Sequence, residues 1–100
     1  MSVANLTYGS SFTASAWIKT TGTTLATIVE EVGASTNEGY QFSVSGDTGH
    51  VGQIRFYLSD NANTVNTYTN TVINNGAWHH VVGVKDGNTV RLYVDGVPDN

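Results

Sequence analysis

Carboxylate and histidine side chains are the candidates in this sequence for catalysis or metal binding, and their spacing predicts no catalytic pair. Glu30 and Glu31 form the only adjacent pair of acidic residues in the sequence. Hydrolysis of a glycosidic bond needs two carboxyl groups that face one sugar, about 5–9.5 Å apart. Because neighbouring side chains on a β-strand point to opposite faces, we expect this pair to be a solvated strand end.

The adjacent residues His79 and His80 invite comparison with a metal site. Two metal ligands on one strand must be two positions apart to share a face, and no third ligand lies nearby in the sequence. We therefore predict that His80 faces the core with a hydrogen-bond partner. His79 is then expected to point outward, where it is a candidate ligand contact.

Three tyrosines are further candidates for ligand contact. Tyr57, Tyr68 and Tyr93 fall on the side of their predicted strands opposite the apolar residues. A planar ring offers an apolar surface on which a sugar ring stacks, while nearby amides bind the sugar hydroxyls. Tyrosine also favours strands for reasons of packing alone, so both interpretations stay open.

The elements that must position these residues are strands, most clearly in a hairpin near the end of the chain. Two runs rich in valine, 78–85 and 89–94, flank a break at 86–88 and predict a β-hairpin. A slip of one residue turns a whole strand over. We predict a three-residue loop, because that length gives three inward pairs: Val84 with Val90, Val82 with Leu92, and His80 with Val94.

Two other turns extend this pattern. The pair Asp95-Gly96 predicts a type I′ turn that returns Val97 beside Val94. Upstream, residues 40–44 and 54–58 both alternate and predict a second hairpin. Its inward residues match across the strands as three pairs: Val44 with Ile54, Phe42 with Phe56, and Tyr40 with Leu58.

Three more segments complete the predicted architecture. In residues 12–19 apolar and polar side chains alternate, with Trp17 on the side opposite the apolar face. Residues 25–32 carry apolar side chains on both faces and predict a strand buried on both sides. Residues 64–72 predict a threonine-rich strand. No segment has the periodicity of a helix. We predict an all-β protein, an antiparallel β-sandwich of the jelly-roll type with seven or eight strands.

Composition excludes several classes of function. The net charge is −4 with only four lysines and arginines in 100 residues, which argues against nucleic acid or an anionic membrane surface as partner. The absence of cysteine excludes a disulfide framework. No apolar run approaches the ~18 residues of a membrane span. The first residues lack the basic and apolar pattern of a signal peptide, so we expect any export signal to lie outside this sequence.

Four short segments carry a family resemblance. Residues 78–81 (WHHV), 86–87 (DG) and 92–96 (LYVDG) resemble the laminin-G-like jelly-roll modules of the concanavalin A-like lectin/glucanase superfamily, and residues 12–19 resemble that family's early strand. The resemblance implies a single module over residues 1–100 that is an internal fragment of a larger domain, with covalently linked neighbouring domains. It also implies that Trp17 and Trp78 belong to the hydrophobic framework.

The resemblance further implies a calcium site, since many relatives bind calcium at the rim of the sandwich. Oxygen ligands from aspartate and asparagine suit this cation. The densest such cluster lies at residues 60–63, which makes Asp60 and Asn63 the candidate ligands. The same residue types are common in turns, so a structural role for them stays open.

These observations favour a non-catalytic extracellular or cell-surface module that recognises glycans or extracellular proteins. Carbohydrate is the favoured ligand. The alternative is a structural or adhesion unit of a large surface protein. A glucanase fragment is the remote alternative, because glucanases of this superfamily carry acids at alternate positions of one strand, whereas Glu30 has Ile28 and Val32 at those positions.

Overall fold

The computed structural model describes residues 11–32, 38–60, 64–86 and 89–100, and in these ranges the chain is all β. Eight strands follow one another in the chain: β1 Phe12–Ile18, β2 Ala26–Val32, β3 Glu38–Val44, β4 Gln53–Asp60, β5 Thr64–Val72, β6 His79–Asp86, β7 Thr89–Val94 and β8 Val97–Pro98. None of the described residues forms a helix long and apolar enough to cross a membrane.

The strands form two antiparallel sheets of four strands each. One sheet has the order β1-β6-β7-β8 and the other the order β2-β3-β4-β5. The ring of Phe12 in the first sheet lies 4.8 Å from that of Tyr40 and 5.7 Å from that of Phe56 in the second. The sheets therefore pack face to face, which confirms the predicted β-sandwich.

The core lies between the sheets and consists of alternate residues of β3, β4, β6 and β7, together with Ile73, which follows β5. Alternation follows from the strand geometry, since every second side chain points to the same face. Removing these side chains from water is the main favourable contribution to folding. The buried apolar residues are Tyr40, Phe42, Val44, Ile54, Phe56, Leu58, Ile73, Val81, Leu92 and Val94.

The β3–β4 hairpin has the predicted register. Three of its inward pairs are Tyr40 with Leu58, Phe42 with Phe56, and Val44 with Ile54. The rings of Phe42 and Phe56 meet edge to face with centroids 5.6 Å apart, a favourable arrangement for two aromatic side chains. This hairpin supplies most of the aromatic content of the core.

The register predicted for the β6–β7 hairpin is wrong by one residue. The strands pair up to Asp86 and Thr89, so two residues lie between the paired ends rather than three. The inward positions of β6 are consequently Val81, Gly83 and Lys85, while Val82 and Val84 lie on the outer face. The prediction assumed that valines face inward, but the space between the sheets requires a glycine at one of these positions.

Gly83 shows why. A Cβ atom on Gly83 would lie 2.8 Å from Cδ2 of Phe56 and 3.0 Å from Cε1 of Phe42. Any side chain at this position would displace one of the two rings. Two residues further along β6, Lys85 is also inward and only 1% exposed, and this burial lowers the pKa of its ammonium group.

Two other strand predictions have different outcomes. The type I′ turn at Asp95-Gly96 is confirmed, since both residues have positive φ (53° and 83°) and Val94 pairs with Val97. The expectation that residues 25–32 are buried on both sides is wrong. β2 is an edge strand with an irregularity between Thr27 and Val29, and its described side chains are mostly exposed.

The close fit at Gly83 predicts the effect of adding a single methyl group. We expect Gly83→Ala to lower the free energy of unfolding by about 1–3 kcal/mol, because overpacking forces the phenylalanine rings to move. Urea unfolding of Gly83→Ala measures this cost, and the same substitution in a Phe56→Leu background provides the control. The cost should shrink in that background, because Leu lacks the ring atoms that meet the new methyl group. A midpoint equal to or above that of the parent protein would contradict the packing described for Gly83.

Candidate functional site

The outer surface of the β2–β5 sheet carries the densest group of interacting polar and aromatic side chains in the described structure. Cross-strand register places its members side by side: Glu30 opposite Gln41, Gln41 opposite Tyr57, and Tyr57 opposite Asn66. Arg55 lies opposite Tyr68 in the next row. We call this surface the polar face and define it by Glu30, Gln41, Asp47, His50, Arg55, Tyr57, Asn66 and Tyr68.

Arg55 links the side chains at the centre of the polar face. Its Nε donates a hydrogen bond to Oδ1 of Asn66 (3.0 Å), and its Nη1 donates one to Oε1 of Gln41 (3.3 Å). Its guanidinium carbon lies 5.1 Å from the centre of the Tyr57 ring, within the range of a cation–π interaction. Three neighbouring side chains are thus held in place by one arginine.

Gln41 extends this network toward the edge of the sheet. Its Nε2 donates a hydrogen bond to Oε2 of Glu30 over 2.6 Å, while its Oε1 accepts from Arg55. The amide is therefore oriented by both of its neighbours. This arrangement fixes Glu30, an otherwise exposed carboxylate on an edge strand.

The other end of the polar face is built around Tyr68. Its hydroxyl donates to Oδ2 of Asp47 (2.6 Å), and its ring stacks on that of His50 with centroids 3.7 Å apart. His50 Nδ1 lies 2.6 Å from Oε1 of Gln53. The hydrogen bond to the Asp47 carboxylate, together with burial, raises the pKa of the Tyr68 hydroxyl above its ordinary value of 10.0.

The loop between β3 and β4 holds Asp47 and His50 in position. Ser45 and Gln53 close it through a backbone hydrogen bond of 2.7 Å, and the N–H of His50 donates to the carbonyl of Asp47 (2.9 Å). The backbone N–H of Asp47 also donates to the Ser45 hydroxyl (3.0 Å). These local bonds stabilise a turn of the kind that aspartate and serine favour.

Several polar atoms on this face remain available to a ligand. Within the part of the chain that the structure describes, the Tyr57 hydroxyl and the Asn66 side-chain nitrogen have no protein partner. Asp47 also has one carboxylate oxygen, Oδ1, without a hydrogen bond to the described residues. The polar face therefore combines fixed side chains with unused donors and acceptors.

The structure brings together only two of the four predicted ligand contacts. Tyr57 and Tyr68 both lie on the polar face, as their outward orientation predicted. Tyr93 also points outward, but from the other sheet, where it pairs with Val82. The two sheets are the opposite sides of the sandwich, so one small ligand cannot contact all three tyrosines.

His79 and His80 have the reverse of their predicted orientations, as a consequence of the register error. His79 lies opposite Ile18 on the inner side of the sheet, at its rim. Its Nδ1 lies 2.8 Å from Oδ2 of Asp95 and its Nε2 lies 2.9 Å from Oδ1 of Asn75. These contacts join two turns. His80 lies on the outer surface, its ring centre 5.0 Å from that of Trp17.

The framework role predicted for two tryptophans is wrong in the same region. Trp17 is 67% exposed and Trp78 is 62% exposed. Trp17 lies on the outer surface of the β1-β6-β7-β8 sheet, opposite His80, and Trp78 directly precedes β6. Because their indole rings are largely in solvent, they contribute little to the core described above.

The calcium prediction is not resolved by these residues. The side chain of Asp60 and the whole of Asn63 lie outside the described residues. Among the residues whose positions are described, no group of three or more histidine, aspartate or glutamate side chains is arranged to hold a metal ion. The proposed ligands therefore stay a prediction.

Most of the polar face was not predicted from the sequence, although the strand pairing was sufficient to predict part of it. The predicted pairing of Phe42 with Phe56 already implies that Gln41 lies opposite Tyr57 and that Arg55 lies on the same outer surface. Asp47 and His50 belong to a loop whose conformation has no periodic signal. Their contacts with Tyr68 depend on tertiary structure.

Comparison with known proteins gives one match. A laminin-G-type family model, described as concanavalin A-like lectin/glucanases superfamily, matches residues 1–100, the whole chain. No curated protein and no solved structure matches the chain.

The hydrogen bond from Tyr68 to Asp47 predicts a late step in an alkaline titration. Because the folded-state pKa is raised above 10.0, the bond stabilises the fold below that pH and is lost as the pH rises through the folded-state value. The difference between the 295 nm absorbance titrations of the parent protein and of Tyr68→Phe isolates the ionisation of this hydroxyl, and its midpoint should lie above pH 10.0. A difference titration with its midpoint at or below pH 10.0 would contradict the assignment.

The contacts of Asp95 predict a loss of stability in acid. The hydrogen bond to His79, followed by that from the backbone N–H of His80, lowers the pKa of Asp95 below its ordinary value of 3.8. Its contribution is therefore present above that pH and is lost as the pH falls through the lower, folded-state value. Thermal unfolding between pH 2 and 5 should show a weaker pH dependence in Asp95→Asn than in the parent protein. Asp86→Asn is the matched control, and equal curves for Asp95→Asn and the parent would refute the role of Asp95.

Proposed function

The chain belongs to the concanavalin A-like lectin/glucanases superfamily, and from that premise we propose that it is a non-catalytic module that binds glycans through the polar face. The observation that carries the proposal is the set of side chains around Arg55. Two tyrosine rings lie on one surface with amide, carboxylate and guanidinium groups that are already oriented by one another.

The chemistry of a sugar matches this surface. Each pyranose ring presents hydroxyl groups, which both donate and accept hydrogen bonds, and a C–H surface that packs on aromatic rings. The Tyr57 hydroxyl and the Asn66 nitrogen are available partners for sugar hydroxyls. Because Arg55 already holds both of these side chains, little side-chain entropy remains to be lost on binding.

The arrangement of carboxylates supports binding over hydrolysis. A glycosidase needs a second carboxyl group facing the same glycosidic bond. In the sequence the second residue after Glu30 is a valine rather than an acid, and Glu30 itself accepts a hydrogen bond from Gln41. Asp47 is hydrogen-bonded to Tyr68. Both described carboxylates of the face thus have partners that suit a role in orientation.

Location and cofactor follow from the same proposal. Laminin-G-like modules are typically extracellular, so we place this chain outside the cell or at its surface, with glycans or extracellular proteins as partners. Calcium bound through Asp60 and Asn63 stays part of the proposal. Glycan binding measured with calcium and then with a chelator separates a calcium-dependent site from the polar face alone.

A structural or adhesion role is the second candidate, and one observation favours it. Trp17, in the sheet opposite the polar face, and Trp78, which directly precedes β6, are both exposed, and large exposed aromatic side chains are common in protein contact surfaces. If adhesion through this surface is the function, Trp17→Ala should weaken self-association or partner binding while glycan retention stays absent in every variant.

Substitution of Tyr57 tests the proposed function. Tyr57→Ala should weaken glycan binding by about tenfold, equivalent to ~1.4 kcal/mol, because the stacking surface and the free hydroxyl are lost together. The measurement is a glycan array followed by calorimetry on the glycans retained. Far-ultraviolet circular dichroism should show that the variant remains folded, since Tyr57 lies outside the core.

Two controls come from the same chain. Tyr93→Ala removes an outward tyrosine from the other sheet, and His79→Gln removes the candidate contact at the rim. We expect both variants to bind glycans as the parent does. Unchanged affinity in Tyr57→Ala, with loss of affinity in Tyr93→Ala, would move the site to the opposite sheet.

A further inference from the structure

We infer that the polar face selects neutral glycans over sulfated or uronic-acid-containing ones, and that Glu30 and Asp47 are the residues that set this preference. The inference rests on the proposed function and adds the class of ligand to it. It follows from the balance of charge on the face, from the exposure of those charges, and from what each charged group is able to donate or accept.

The formal charge of the polar face is negative. It carries two carboxylates, Glu30 and Asp47, and one cation, Arg55, which gives −2 + 1 = −1 with His50 neutral. The remaining lysines and arginines lie elsewhere: Lys19 follows β1, Lys85 is in β6 and Arg91 is in β7. No lysine or arginine besides Arg55 occurs between residues 20 and 77, so the whole β2–β5 sheet has a single basic side chain.

Exposure makes the negative charge more accessible than the positive one. The side chain of Arg55 is 16% exposed, whereas that of Asp47 is 42% exposed. The Nε atom of Arg55 lies 3.7 Å from Oδ2 of Asp47, and the guanidinium group is also bound by Gln41, Asn66 and the Tyr57 ring. An incoming anion therefore meets the carboxylates of Asp47 and Glu30 in solvent, while the guanidinium group is mostly covered by its neighbours.

Hydrogen-bond chemistry also favours neutral ligands over anionic ones. An ionised carboxylate only accepts hydrogen bonds. A sugar hydroxyl donates a hydrogen and satisfies such an oxygen, whereas a sulfate or a uronate has no hydrogen to donate and repels it. The free Oδ1 of Asp47 and the second oxygen of Glu30 thus favour hydroxyl groups and disfavour anionic substituents at the same positions.

The test compares neutral and sulfated ligands on the parent protein and on charge variants. The probes are cello-, manno- and galacto-tetrasaccharides as neutral ligands and a heparin tetrasaccharide as the sulfated one. Glu30→Gln and Asp47→Asn keep the shape of each side chain and its acceptor oxygen. Asp86→Asn is the matched control, because it removes one negative charge from the opposite sheet.

We expect the parent protein to bind at least one neutral probe with an affinity that changes less than about twofold between 50 and 500 mM salt, because no ion pair forms. Heparin should bind weakly or not at all. The double variant Glu30→Gln, Asp47→Asn should gain affinity for heparin by about tenfold, while Asp86→Asn should behave as the parent does.

The contrary outcomes separate the two proposals. Salt-sensitive binding of heparin by the parent protein, stronger than that of every neutral probe, would overturn the preference for neutral ligands but leave glycan binding intact. An equal gain of heparin affinity in Asp86→Asn would overturn the assignment of the preference to Glu30 and Asp47. Retention of no probe by the folded parent protein would overturn the proposed function and this inference together.

Discussion

The structure depends on the close approach of two aromatic rings to the backbone of a glycine in the opposite sheet. Phe42 and Phe56 are paired across β3 and β4, and Gly83 of the other sheet lies directly against both. Protein interiors are packed as densely as molecular crystals, so the distance between the sheets is set at this point. Register, burial and the orientation of the outer surfaces follow from it.

The same constraint builds the polar face. Strand side chains alternate, and the pairing that buries Phe42 and Phe56 therefore directs Gln41, Arg55 and Tyr57 to the opposite side of the sheet. These outward residues then find one another across the strands. A binding surface on a sheet is more rigid than one on a loop, because the hydrogen-bonded ladder holds the side chains at fixed spacing.

The sequence was sufficient to predict the fold class, the β3–β4 register and the type I′ turn, because each rests on a local or periodic signal. It was insufficient for the β6–β7 register, where the inward positions are occupied by Gly83 and Lys85 rather than by the neighbouring valines. Hydrophobicity alone favours the valines. The requirement for a glycine arises only when the opposite sheet brings two phenylalanine rings to the same point, which is a tertiary effect. For the same reason the sequence did not predict that Asp47 and His50 belong to the polar face.

The central claim is that ligands bind to the β2–β5 sheet and not to the surface of the other sheet, which carries Trp17. Amide and side-chain chemical shifts, followed by nuclear magnetic resonance during titration with a neutral oligosaccharide, test it most directly. The account predicts shifts concentrated at Arg55, Tyr57 and Asn66, with the indole signals of both tryptophans unchanged. Shifts confined to the indole groups of Trp17 and Trp78 would contradict it.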